Sequence, residues 1–209
     1  PTTTAAYAKE QYVISYLNTQ SYINEKIEIS KNIPEEDLLD AINIKIYDEF
    51  GLDQAVEYQV QFIETFNHID GDNRHFQVFI VDPLKILEVF QTSIEKIKYI
   101  DIITPAPLLL KSLYSKNIVE DNGVHCYIYF EENDAFLTIY NEKEFVYTKT
   151  IEFSLSQMHE RFCELYGERV EYEEFVNFLT QENLKHTTSE YKEYIFKLYK
   201  EVFTKINDI

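Results

Sequence analysis

Three consecutive β-rich runs in the second half of the sequence constrain its fold more than any other feature. They cover Val124–Phe130, Ala135–Tyr140 and Glu144–Phe153, and short acidic turns separate them. Runs this close together pair through hairpins, because a parallel crossover needs a dozen or more residues. The sequence therefore predicts an antiparallel meander that begins near residue 124.

Three helices are predicted after the meander. The first covers Ser154–Tyr166 and opens with Ser154 and Gln157 in the spacing of a capping box. The second covers Glu171–Leu179, and the third runs from about Ser189 to Asn207. The third helix carries a single apolar stripe, which is more typical of a core-facing surface than of a docking surface.

The first half alternates strand and helix patterns, which favours an α/β class. Strands are predicted at 12–17, where the run reads as buried, and at 21–29, 56–62, 76–81 and 97–103. Helices are predicted to start at Pro34, with acidic residues in its first turn, and at Pro83. The first of them ends at Gly51, and a further helix is predicted over Ala106–Tyr114.

The chain is strongly acidic, with 19 Lys and Arg against 37 Asp and Glu and a formal net charge of −18. Nucleic acid and anionic lipid both require clustered Lys or Arg, so we expect neither as a partner. A basic protein partner is attracted to such a surface, although acidity also serves solubility alone.

Targeting signals and disulfides are also not expected. Cys126 and Cys163 form no CxxC pair, and there is no secretory signal and no apolar run of membrane-spanning length. These features predict a cytoplasmic protein with free thiols. The chain opens at Pro1 rather than Met, so any membrane attachment is expected through a segment outside it.

Two local patterns are similar to ion sites, and neither is complete. Asp70–Asn73 lacks the bidentate glutamate that closes a calcium loop, and its residues suit a tight hairpin turn. His159 and Cys163 lie four residues apart on a helix, but His125 and Cys126 face opposite sides of a strand and supply no convincing further zinc ligands. We therefore predict no metal site.

No catalytic or cofactor-binding residue is predicted either. The sequence contains no nucleophile elbow, no zinc-protease motif and no Walker motif. Its four glycines are scattered and cannot form a phosphate-binding loop.

The order of elements resembles the actin-like (ribonuclease H-like) two-lobed α/β fold of the PilM and GspL proteins, which belong to pilus and type II secretion machines. Tyr12–Leu17 is similar to the strand before the inserted subdomain of PilM, and residues 27–42 are similar to the strand, proline and acidic-apolar helix that follow. Residues 135–151 resemble the hairpin of the second lobe, and Glu190–Ile206 resembles its long late helix. The resemblance implies a first lobe at 1–118, with an inserted subdomain at about 20–95, and a second lobe at 119–209.

The resemblance also implies that the nucleotide site is degenerate. Actin-like proteins hold phosphates with two Asp/Gly-rich hairpins and a later Gly-rich loop. The second hairpin would lie at Tyr129–Asp134, where this sequence has Glu131 and Glu132 and no glycine. The first hairpin would precede residue 11, and the third loop would follow the last helix.

The function implied by the resemblance is a non-catalytic scaffold at the cytoplasmic face of the inner membrane. Such adaptors link the assembly ATPase of a secretion, pilus or DNA-uptake machine to inner-membrane platform proteins, and homo-oligomers are compatible with this role. One alternative is a metal-dependent phosphotransferase or nuclease in which Asp101, Glu131 and Asp134 converge on magnesium. Another is an unrelated regulatory interaction domain.

Overall fold

The computed structural model describes residues 12–65, 71–180 and 189–207. These residues form two compact units. The first contains the described residues up to His125 together with Ile139–Tyr147, and the second contains Cys126–Thr138 and the described residues from Thr148 onward. The lobe boundary near residue 118 and the limits of the inserted subdomain stay predictions.

The described residues form eight strands and seven α-helices. The strands are β1 (Ile14–Leu17), β2 (Ile23–Ser30), β3 (Gln59–Glu64), β4 (Asn73–Val81), β5 (Ile102–Pro105), β6 (Val124–Phe130), β7 (Ala135–Asn141) and β8 (Glu144–Thr150). The helices are α1 (Leu38–Phe50), α2 (Pro83–Ile97), α3 (Ala106–Leu109), α4 (Lys111–Ser115), α5 (Leu155–Tyr166), α6 (Tyr172–Thr180) and α7 (Ser189–Asn207).

Strand β4 organises the first unit, because it pairs antiparallel with β2 on one edge and with β3 on the other. Alternate residues of β4, namely Phe76, Val78 and Ile80, are buried in one cluster with Ile42 and Ile46 of α1. Both isoleucines are fully buried, and each such side chain contributes about 1.5–3 kcal/mol through removal of its apolar surface from water. The core of this unit therefore lies between the sheet and α1.

Arg74 ties one end of this sheet to the turn before α1. Its Nε and Nη2 atoms donate to the two carboxylate oxygens of Glu64 on β3 at 2.9 and 2.8 Å, and Nη1 donates to Glu35 at 2.7 Å. The hydrogen bonds from Arg74 hold the pKa of Glu64 below its usual value. The bidentate contact with Glu64 joins β3 to β4 at this end of the sheet.

Two helix boundaries in the first unit differ from the sequence prediction. Helix α2 continues to Ile97, where a strand was predicted to begin, and it ends because Lys98 adopts a left-handed conformation with φ 79°. Strand β5 consequently starts only at Ile102. The segment 106–114 forms two short helices, α3 and α4, in place of one.

The prediction that residues 12–17 form a buried strand is only half right. Among the residues that the structure describes, strand β1 pairs in parallel with β5 alone, in a sheet of two strands. Leu17 is 2% exposed, whereas Tyr12 is 78% exposed and Ile14 is 59% exposed. A run of apolar residues cannot reveal how many neighbouring strands cover it, and for β1 the described residues cover only its carboxyl end.

The predicted meander is confirmed as a sheet of order β6-β7-β8, and β6 has the predicted bounds. In the second unit, α5 and α7 pack together around Phe162 and Leu198, which are both fully buried. Arg161 of α5 donates through Nε and Nη2 to the two carboxylate oxygens of Glu201 on α7, at 2.8 and 2.9 Å. The bounds predicted for α7 are confirmed, as is the prediction that much of its stripe faces a core.

The turn between β7 and β8 has two residues in a conformation that L-amino acids disfavour. Glu142 and Lys143 have φ values of 48° and 64°, as a two-residue type I′ hairpin turn requires. Asn and Gly are the residues that usually occupy these positions, because they tolerate positive φ. The turn therefore stores backbone strain that a substitution can relieve.

We expect Glu142→Asn to stabilise the protein by about 0.5–1 kcal/mol, because Asn adopts positive φ more readily than Glu. The melting temperature should rise by roughly 1–4 °C in calorimetry. Lys143 and its 2.9 Å ion pair with Asp121 stay intact in this variant. Glu144→Asn, at the first residue of β8, is the matched control, and an equal gain there would show that turn strain is not the cause.

Candidate functional site

The β6–β7 turn is the part of the chain where the resemblance to actin-like proteins implies a phosphate-binding hairpin. The turn is closed by a hydrogen bond from the Glu131 N–H to the Asp134 carbonyl at 2.7 Å. Asp134 is 4% exposed, and the Tyr129 hydroxyl donates to Glu131 Oε1 at 2.6 Å. The turn is therefore compact and carries carboxylates that repel phosphate.

The carbonyl groups of this turn are bound to the first turn of helix α5. Leu155 N–H donates to the Glu131 carbonyl, and Ser156 N–H donates to the Glu132 carbonyl, both at 2.9 Å. The first N–H groups of a helix have no partner within the helix, and this is why helix N-termini bind anions. Here the neighbouring turn already occupies two of them.

The capping box at Ser154 satisfies the next donor. The Ser154 side chain accepts the N–H of Gln157, and the Gln157 side chain accepts the N–H of Ser154 at 2.8 Å. Met158 N–H then makes the first bond within the helix, to the Ser154 carbonyl at 2.9 Å. Every N–H group of the first turn of α5 therefore has a protein acceptor, and none is left to bind a phosphate.

His159 and Cys163 lie on one face of α5, as their spacing predicts, and their Nε2 and Sγ atoms are 3.5 Å apart. His159 Nε2 also lies 2.6 Å from the Val170 carbonyl, and Cys163 Sγ accepts the N–H of the same residue at 3.4 Å. A carbonyl only accepts, so His159 Nε2 carries the proton in that contact and is not a base for the thiol. The pair fixes the segment after α5, which supports the structural interpretation.

The other sequence candidates lie in ordinary structural contacts. His125 Nδ1 lies 2.9 Å from the Tyr114 hydroxyl, and the Cys126 side chain is exposed. Burial of part of the Cys126 side chain raises the pKa of its thiol. Of the turn considered for calcium, Asp70 lies outside the described residues, while Asn73 begins β4 and donates to Glu28 at 3.0 Å.

The carboxylates proposed for a magnesium site have protein partners. Asp101 Oδ2 accepts the N–H of Val13 at 2.7 Å, next to the start of β1, and Glu131 accepts from Tyr129. Within residues 12–65, 71–180 and 189–207, no three His, Cys, Asp or Glu side chains are grouped so that they could hold a metal ion. In the same ranges, no helix is long and apolar enough to span a bilayer.

No protein-family model matches the sequence, and no curated protein is similar to it in sequence. Among solved structures, the chain is similar to one described as the "PilM-PilN type IV pilus biogenesis complex", with a TM-score of 0.67 at 12% sequence identity. The match covers 95% of this chain and 57% of the other. The chain has a PilM-like, actin-like fold.

A second solved structure that matches is a protein of unknown function from Bacteroides thetaiotaomicron with an actin-like ATPase fold. Its TM-score is 0.40 at 12% identity, and the match covers 92% of this chain and 66% of that protein. The chain thus spans less than two thirds of the length of either structure. The fold class predicted from the order of elements is confirmed by the match to the PilM-PilN structure.

The contacts at the start of α5 can be tested by removing the cap. We expect Ser154→Ala to destabilise the protein by about 1 kcal/mol, because Gln157 N–H loses its acceptor while the turn still holds the preceding donors. The melting temperature should fall by roughly 2–4 °C.

Ser156→Ala is the matched control for this variant. It removes only an exposed contact between Ser156 Oγ and Asn133 at 3.2 Å and leaves the main-chain bond to Glu132 in place. A loss in Ser156→Ala as large as that in Ser154→Ala would contradict the capping account.

Proposed function

We propose that the chain is a non-catalytic scaffold of a pilus, type II secretion or DNA-uptake machine, which links an assembly ATPase to inner-membrane components. The PilM-like fold supports a pilus-related role. The solved structure with this fold is a complex of PilM with PilN, and we propose a PilN-type component as one partner of this chain. The scaffold would then act at the cytoplasmic face of the inner membrane.

The observation that carries the non-catalytic part of the proposal is the closed start of α5. A phosphate at the β6–β7 turn would have to displace the carbonyls of Glu131 and Glu132 from Leu155 and Ser156. It would also meet the carboxylates of the turn at close range, where repulsion is strong. Both costs oppose nucleotide binding at the place where actin-like proteins bind phosphate.

The acidic surface supports a protein partner rather than nucleic acid or lipid. With 37 acidic against 19 basic residues, the chain attracts basic segments of other proteins from a distance and speeds their association. Components of the machine that carry Lys- or Arg-rich segments would suit this acidic surface as partners.

The alternative of a metal-dependent phosphotransferase lacks comparable support. Its three carboxylates would have to converge on one ion. Asp101 instead accepts a hydrogen bond from the main-chain N–H of Val13, and Glu131 accepts one from the Tyr129 hydroxyl. The described residues contain no group of side chains that could bind a metal ion. No observation on the described residues favours this function or an unrelated regulatory role over the scaffold.

Thermal unfolding with Mg-ATP tests the proposal. We expect the same melting temperature with and without millimolar Mg-ATP, because a site that does not bind ligand gains no stability from it. A site occupied at 100 times its dissociation constant would add about 2.7 kcal/mol, which is roughly 5–10 °C for a chain of this size. A rise of that size would overturn the proposal, and an ATP-binding PilM protein run in parallel serves as the positive control.

A further inference from the structure

A cleft of about 300 Å³ in the first unit combines a lysine, an aromatic ring and apolar walls. It lies beside the face of the sheet that turns away from α1, at the β2–β4 pair. Its lining includes Lys26 and Glu28 of β2, His75 of β4, and Val146 and Tyr147 of β8. A volume of this size is at the lower end of the range for small-molecule sites.

Lys26 contacts an aromatic ring at this cleft. Its Nζ lies 4.3 Å from the centre of the Tyr147 ring, which is a favourable cation–π contact. Among the described residues Lys26 forms no ion pair. Burial of the ammonium group lowers the pKa of Lys26, and burial likewise raises the pKa of Tyr147.

The carboxylate that could neutralise Lys26 is held elsewhere. Glu28 lies on the same face of β2, but its Oε1 is 3.6 Å from His75 Nδ1 and its Oε2 accepts from Asn73 at 3.0 Å. Glu28 and His75 are directly opposite each other in the β2–β4 register, so the strand pairing holds Glu28 towards β4. Within the described part of the chain, no carboxylate therefore pairs with the Lys26 ammonium at this cleft.

We propose that this cleft binds a small organic monocarboxylate, whose carboxylate meets Lys26 while its apolar body lies against Val146 and the Tyr147 ring. A single negative charge fits better than two, because Glu28 at the same cleft repels a second one. The Val146 side chain and the Tyr147 ring favour a ligand with a hydrocarbon part over a bare inorganic ion. This site is separate from the proposed scaffold role, so either can fail without the other.

The test is a titration of the full chain with sodium benzoate and, separately, with inorganic phosphate at constant ionic strength. The methyl NMR signals of Val146, which lines the cleft, report on it directly. We expect saturable shifts with benzoate at a dissociation constant of about 1–10 mM, and no saturable shifts with phosphate. Absence of saturation with benzoate, or saturation with phosphate alone, would overturn the proposal.

Variants separate the role of Lys26 from general effects of charge. Lys26→Met should weaken benzoate binding at least about tenfold, whereas Lys26→Arg, which keeps the charge and the cation–π contact, should retain most of it. Lys149→Met, which removes another exposed lysine on β8, is the matched control and should bind as the unchanged protein does. Equal weakening in Lys26→Met and Lys149→Met would show a non-specific electrostatic effect and contradict the assignment of this site.

Discussion

The first unit depends on strand β4, which is paired on both edges and, from Phe76 to Val81, buried on both faces. Phe76, Val78 and Ile80 pack with α1, whereas Val81, from the opposite face, lies in a second cluster with Leu17 and Phe90. Because β4 is paired on both edges, it fixes the register of both neighbours, and a slip of β2 by one residue would exchange buried Ile27 and Ile29 for exposed Lys26 and Glu28. The positions of Lys26, Glu28 and Arg74 follow from that register.

Local sequence signals predicted the elements whose cause is local. The capping box of α5, the bounds of β6 and the extent of α7 all depend on neighbouring residues, and all are confirmed. The error at Ile97 arose because a short apolar run fits both a helix end and a strand, and the left-handed Lys98 that separates them has no marker in the sequence. The exposure of Ile14 depends on how many strands pair beside β1, which a local pattern does not contain.

The candidate sites could be predicted only in part, because a local sequence pattern does not show the contacts that the fold creates. The absence of glycine at residues 129–134 was visible in the sequence and indicated a weak phosphate site. The bonds from Leu155 and Ser156 to the preceding turn were not visible, because main-chain carbonyls of any residue type can make them. The cleft at Lys26 was missed entirely, since Lys26 and Tyr147 are 121 residues apart in the chain and only the fold brings them together.

We propose that the PilM-like fold serves here as a scaffold and does not need nucleotide. The most direct measurement is isothermal titration of this chain with the PilN-type component of its own organism, with and without Mg-ATP. The account predicts saturable binding with the same affinity in both conditions, because a ligand that does not bind cannot be coupled to the partner. Failure to bind, or binding that requires Mg-ATP, would contradict it.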